Sequence, residues 1–202
     1  MRRTKEDAEL TRQLLLKSAL TVFAERGYTN TRLSDIAEKA GVTRGAIYWH
    51  FGNKRELLID LVKNQVDPYF EIIAQVVSES ISARKKLEKI LRIILEKFNN
   101  DREFLANHKF NFVELKMKNE IPEIKEFIKR KFLNFRTIIQ KLVETGISTG
   151  EFRRINPDSI TAVFATIVAG CGAIAMNNEI SLPIDQDYMI DILLNGISPD
   201  NF

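Results

Sequence analysis

The sequence predicts an all-α fold. Apolar residues recur at three- and four-residue spacing along nearly the whole chain, alternating strand-like runs are missing, and glycines and prolines fall where those periodic segments stop. With 202 residues, 45% hydrophobic and 28% charged, the chain has the balance of a soluble globular protein with material for one large or two small domains.

The first helix is expected at about residues 9–26, where Leu15, Ala19, Val22 and Phe23 form a buried stripe and Gly27 ends it. Leu33, Ile36, Ala37 and Ala40 repeat the spacing, with Thr31 as the expected N-cap and Asp35 near the first turn. Gly41 supplies a left-handed stop, Val42 an apolar turn residue, and Thr43 a cap for the next helix. That helix is barely two turns long. Its Ile47 and Phe51 lie four apart and face inward, which puts Arg44, Gly45 and Tyr48 on the other side. Asn53 followed by Glu56 resembles a capping box and opens a helix to about Val66, and Pro68 then marks a break or a first-turn position.

Helix, glycine-containing turn and second helix is the helix-turn-helix arrangement, whose second helix enters the major groove of DNA. A short helix exposing Arg44, Tyr48, Trp49 and His50 is poor core material but suits a partner that is anionic and accepts hydrogen bonds. Gly45 inside a helix costs about 1 kcal/mol against alanine, which a close approach of backbone to another surface would explain. Lys54 and Arg55 oppose the dipole at the start of their helix, a conflict that a bound phosphate would relieve. Residues 1–55 carry a net charge of +5 and the remainder −2, so the basic charge sits with this motif.

Thr31 through Lys54, with Ala46-Ile47-Tyr48-Trp49-His50-Phe51 followed by Asn53-Lys54, resembles the DNA-binding domain of the TetR family of transcriptional regulators, and within it the AcrR-like members. The resemblance covers about residues 9 to 60. The fork of Arg44 suits base reading at a guanine, Gly45 and Ala46 would let the backbone approach closely, and the resemblance implies phosphate contacts from Thr43, Tyr48, His50 and Lys54. Thr31 and Arg32 would add contacts from the preceding helix, and Trp49 stands between packing and backbone contact. It implies a DNA-binding domain at residues 1–55, and a helical ligand-binding and dimerisation domain at 56–202. The protein is then expected to be a repressor that binds a pseudo-palindromic operator as a homodimer and is released by a small apolar effector. An activator, or a regulator answering to a protein partner, is the alternative left open.

In the second domain, Ser82 is expected to cap a helix carrying Leu87, Ile90, Leu91, Ile94, Leu95 and Phe98, and residues 102–118 read as helical. Pro122 opens a long helix ending near Gly146 to Gly150, Asn156-Pro157 starts another, and a short last helix spans about residues 186–195. Residues 160–176 hold no charge and approach a membrane span in length, but Ala162, Ala165, Ala169, Gly170, Gly172 and Ala173 suit a buried helix at a subunit interface. Seven of the 13 phenylalanines fall between Phe98 and Phe135. Core packing explains most of them. An effector pocket among Phe98, Phe112, Met117 and Phe135, with His108, Asn111 or Glu114 as polar anchor, is the functional alternative.

Two histidines and the single Cys171 offer no paired metal-ligand spacing, and neither a phosphate-cradling loop nor a nucleophile elbow is present, which argues against an enzyme. No cofactor or metal is implied. One cysteine fits a reducing cytoplasm, and the basic Met1-Arg2-Arg3 is followed by polar residues rather than an apolar stretch, so a flexible basic arm is expected there. A non-specific architectural protein would carry basic charge over its whole surface, whereas here the second domain is slightly acidic.

Overall fold

The computed structural model describes residues 4–101, 104–105, 121–176 and 185–199, and among them every regular element is helical. The helices are α1 (Lys5–Arg26), α2 (Leu33–Lys39), α3 (Arg44–Phe51), α4 (Lys54–Ser78), α5 (Ala83–Asn100), α6 (Pro122–Ser148), α7 (Pro157–Met176) and α8 (Gln186–Gly196). Contacts divide the described residues into two compact units, 4–67 with 121–126, and 68–105 with 127–199.

In the first unit α1 starts four residues earlier than its apolar stripe suggests. The Thr4 hydroxyl accepts from the Asp7 amide at 3.1 Å, and the Asp7 carboxylate accepts from the Thr4 amide at the same distance. This capping box pins the helix start beyond the reach of its buried face. Leu15, Leu16, Ala19, Val22 and Phe23 of α1 are buried, as are Leu33, Ile36 and Ala37 of α2, Ile47 and Phe51 of α3, and Leu57, Leu58, Leu61 and Val62 of α4. Arg12 of α1 reaches Asp60 of α4 at 3.0 Å and lies over the Phe51 ring, so a polar side chain also packs.

Two expectations fail here. Pro68 does not break a helix, because α4 runs unbroken on both sides of it. Proline removes one amide donor and crowds the preceding turn. The flanking turns keep their place through buried Val62, Gln65, Ile73 and Val76. Thr31 is not the N-cap of α2 either. Arg32 takes that position, and its amide donates to Asp35 Oδ2 at 2.9 Å. Thr31 is only 1% exposed, and its hydroxyl donates to the Gly27 carbonyl at 2.8 Å.

The second unit centres on α5, whose Leu87, Ile90, Leu91 and Leu95 are buried with Ile139 and Val143 of α6, Phe164 of α7 and Leu194 of α8. Phe152 is driven into this core beside Gly146, where an added Cβ would come within 2.1 Å of its ring. Only glycine fits. Residues 157–175 make a helix long and apolar enough by composition to cross a membrane. In this chain Thr161, Phe164 and Cys171 are buried, while Ala162, Val163, Thr166, Ala169 and Ala173 form an exposed face.

The start of α5 is held twice. The Ser82 hydroxyl accepts from the Lys85 amide, and the Glu151 carboxylate accepts from the Ala83 and Arg84 amides at 3.3 and 3.0 Å. Burial opposes ionisation of Glu151, but the Arg84 amide, the Ser82 and Thr149 hydroxyls and the Ala83 amide outweigh it and hold the carboxyl below its ordinary range. A carboxyl so depressed gives up its proton more readily folded than unfolded. Its stabilisation is present above the ordinary carboxylate range and is lost as pH falls below that range through the lower pKa of the folded carboxyl. Glu151→Gln is therefore expected to lower the urea midpoint at neutral pH and to flatten its decline on acidification. Equal decline in both proteins would remove Glu151 as the cap.

Candidate nucleic-acid interface

The site is built on eight residues. The Thr43 hydroxyl accepts from the Ala46 amide at 3.3 Å and starts α3, and Gly52 closes it with φ at 63°. Gly41, at φ 66°, turns the chain between α2 and α3, where a side chain would be strained. An isolated helix this short is marginal in water, so tertiary packing must hold it. Ile47 and Phe51 do so, at 0% and 2% exposure. Burying that pair turns the remaining face outward.

On the outward face Thr43, Arg44 and Gly45 are exposed, Tyr48 is 55% and Trp49 72% exposed, and Ala46 and His50 are half-buried. The His50 ring meets Trp49 edge-on with centroids 4.6 Å apart, which orients the indole. Arg44 makes no ion pair or side-chain hydrogen bond with any described residue, so its guanidinium fork is available. An added Cβ at Gly45 would meet nothing nearer than the Thr43 hydroxyl, 3.9 Å away. The chain itself therefore does not require glycine there. Arg32, at the start of α2, is exposed as well.

Two of the residues read as phosphate contacts are placed otherwise. Thr31 is buried beneath the turn that follows α1, and its hydroxyl is spent on Gly27, so no surface approaches it. The Lys54 ammonium is half-buried and donates to the carbonyls of Tyr28, Thr29 and Thr31 at 2.7, 3.2 and 2.8 Å. Arg55 beside it donates to both oxygens of Glu123 at 2.6 Å, and that hydrogen bond holds the Glu123 carboxyl below its ordinary range. The dipole conflict at the start of α4 is thus answered by protein groups. No phosphate is needed to explain it.

The expected effector residues fare differently. His108, Asn111, Phe112, Glu114 and Met117 lie outside the described residues. Phe98 and Phe135 are buried in the core of the second unit. An open cleft of about 730 Å³ in that unit is lined by Ile72 of α4, by Ile93, Glu96, Lys97 and Asn100 of α5, and by Asp101. Sequence reasoning singled out none of these six.

The N-terminal helices and the exposed face of α3 form a helix-turn-helix within an all-helical chain. Residues 15–61 match the bacterial regulatory proteins of the tetR family, so this segment is similar to that family's helix-turn-helix domain. Over 99 residues it is 42% identical to the probable HTH-type transcriptional regulator ArpR of Pseudomonas putida, covering 49% of this chain and 46% of that protein. The match thus spans about half the length of that relative. It is 26% identical over 187 residues to the fatty acid metabolism regulator protein of Bacillus subtilis, covering 91% of this chain and 93% of that one. The crystal structure of NalD, the secondary repressor of a multidrug efflux pump in Pseudomonas aeruginosa, superposes with a TM-score of 0.77 at 22% identity, covering 96% of this chain and all 100% of that one. That likeness establishes the fold. Both of the sequence relatives are named as regulators.

Gly45→Ala separates the two demands on α3. Because the site is open, the substitution is expected to stabilise the free protein by up to about 1 kcal/mol. The same methyl is expected to weaken DNA binding by standing between backbone and bases. Urea unfolding and duplex titration of one preparation check both, and tighter or equal DNA binding would show that no surface approaches Gly45.

Proposed function

We propose that this protein is a ligand-responsive transcriptional repressor that binds a pseudo-palindromic operator as a homodimer and leaves it when a small, largely apolar effector binds the second domain. The observation that carries this reading is the outward face of α3, with Arg44 unengaged, Gly45 bare, and Tyr48 and Trp49 in solvent. Arg44 would pair with a guanine edge, which its fork matches. Gly45 and Ala46 would let the backbone approach, with the Ala46 methyl against a thymine methyl. Thr43, Tyr48 and His50 would position the helix on phosphates, and Arg32 and Trp49 would add backbone contacts.

One short recognition helix reads too few base pairs to select a site, so two copies related by a two-fold axis are required. The exposed face of α7 at Ala162, Val163, Thr166, Ala169 and Ala173, with Ile128, Phe132 and Leu133 exposed on α6, supports a second copy as its cover. The relatives whose names state fatty acid metabolism and drug efflux regulation support an apolar effector. The cleft between Ile72 and Ile93 is a candidate place for it, and acting on operator DNA would place the protein in the cytoplasm.

Arg44→Ala is expected to cost on the order of 1–3 kcal/mol on a selected site, and to relax preference at one base pair in each half-site. Selection from random duplexes followed by titration decides this. Equal losses on selected and scrambled DNA would remove Arg44 from base reading and this function with it. Ala169→Glu would bury a charge if α7 meets a second copy, and is expected to sediment as a monomer at low concentration. Unchanged dimers would place the seam elsewhere.

A further inference from the structure

We propose that Lys54 is a positioning residue of the DNA-binding domain. Its ammonium clamps the turn between α1 and α2 to the start of α4 and so fixes where α2 and α3 stand. It does not contact a phosphate. The inference rests on the DNA-binding reading above only for what is being positioned.

An ammonium has three N–H donors and no acceptor. Here three carbonyl oxygens lie within bonding distance of Nζ, from Tyr28, Thr29 and Thr31. The Tyr28 ring lies under the same cation, 4.4 Å from Nζ to its centroid. A phosphate could be reached only by surrendering these bonds from a half-buried position. The carbonyls belong to the segment just past the end of α1, where the helix dipole is negative and a cation is favoured. Lys54 thus opposes its own helix dipole while satisfying that of another.

The clamped turn leads directly into α2. The Thr31 amide donates to the Tyr28 carbonyl at 3.3 Å, and its hydroxyl donates to Gly27. The Asn30 side chain donates to the Arg26 carbonyl. Tyr28 also tilts against Phe23 of the core, with centroids 5.6 Å apart. Every one of these bonds is local to the turn, spanning at most four residues. Lys54 supplies a long-range one, across 23 to 26 positions. Removing it cuts this tie between the turn and α4, and with it a reference for the pitch of α2 and α3. A planar guanidinium cannot converge on three oxygens as a compact ammonium does.

The test uses the full chain, a mixed-sequence DNA duplex, and the variants Lys54→Met and Lys54→Arg. A lost phosphate contact lowers the slope of log affinity against log salt by about one unit. A lost clamp lowers affinity several-fold at every salt concentration and leaves the slope unchanged, and Lys54→Arg does not restore it. A slope reduced by about one, or an affinity equal to wild type, overturns the proposal while the DNA reading stands. The second measurement needs no variant. In wild-type protein without DNA, the Lys54 ammonium is expected to give a slowly exchanging proton–nitrogen correlation that exposed Lys39 does not, and to keep its shift when duplex is added. Exchange as fast as that of Lys39 overturns the clamp. A wild-type chain that bound no duplex would sink the proposed function, and the exchange rate would still decide the clamp.

Discussion

Everything on the surface of α3 depends on the burial of Ile47 and Phe51. Two side chains four residues apart are enough to hold an eight-residue helix only when both are removed from water almost completely, as they are here. Each fully buried side chain of this size contributes about 1.5–3 kcal/mol, more than the small intrinsic preference of so short a helix. Helical periodicity then leaves no freedom about what faces outward. Arg44, Gly45, Tyr48 and Trp49 are exposed because their neighbours are not. Replacing either buried anchor would turn or melt the helix, and the chemistry of the outward residues would be lost without any of them changing.

The basic residues around α3 divide into those spent on the protein and those left for a partner. Arg12 is committed to Asp60, Arg55 to Glu123 and Lys54 to three carbonyls. Arg44 is uncommitted. The net charge of +5 over residues 1–55 therefore overstates the number of cations free to meet a phosphate, although the field they create attracts a polyanion from a distance.

Local signals were legible in the sequence and distant ones were not. Thr43, Gly41, Ser82, Asn156 and the Asn53–Glu56 pair act within four residues, so their spacing reveals them, and the structure has each at a helix end. Thr31 shows how narrow the margin is. Threonine before an apolar run reads as a cap, yet Asp35 caps the amide one position later and leaves Thr31 free to turn inward. Pro68 misleads for a different reason, since a proline reads as a stop wherever tertiary packing on both sides is invisible. The carbonyls that Lys54 binds and the amides that Glu151 caps lie 23 or more positions away, beyond the reach of any spacing argument. The cleft of the second unit joins α4 to α5, and no periodicity within either helix announces it.

Trp49 is the only tryptophan in the chain, and it stands 72% exposed on the outward face of α3. The indole is already in water when the protein is folded, so unfolding changes its surroundings little. Anything that covers α3 changes them greatly. The native emission is thus nearly blind to denaturation and sensitive to occupation of one surface, the reverse of the usual buried indole. Evolution has left this domain with its own optical probe, attached by a single rotatable stem to the helix whose contacts matter most.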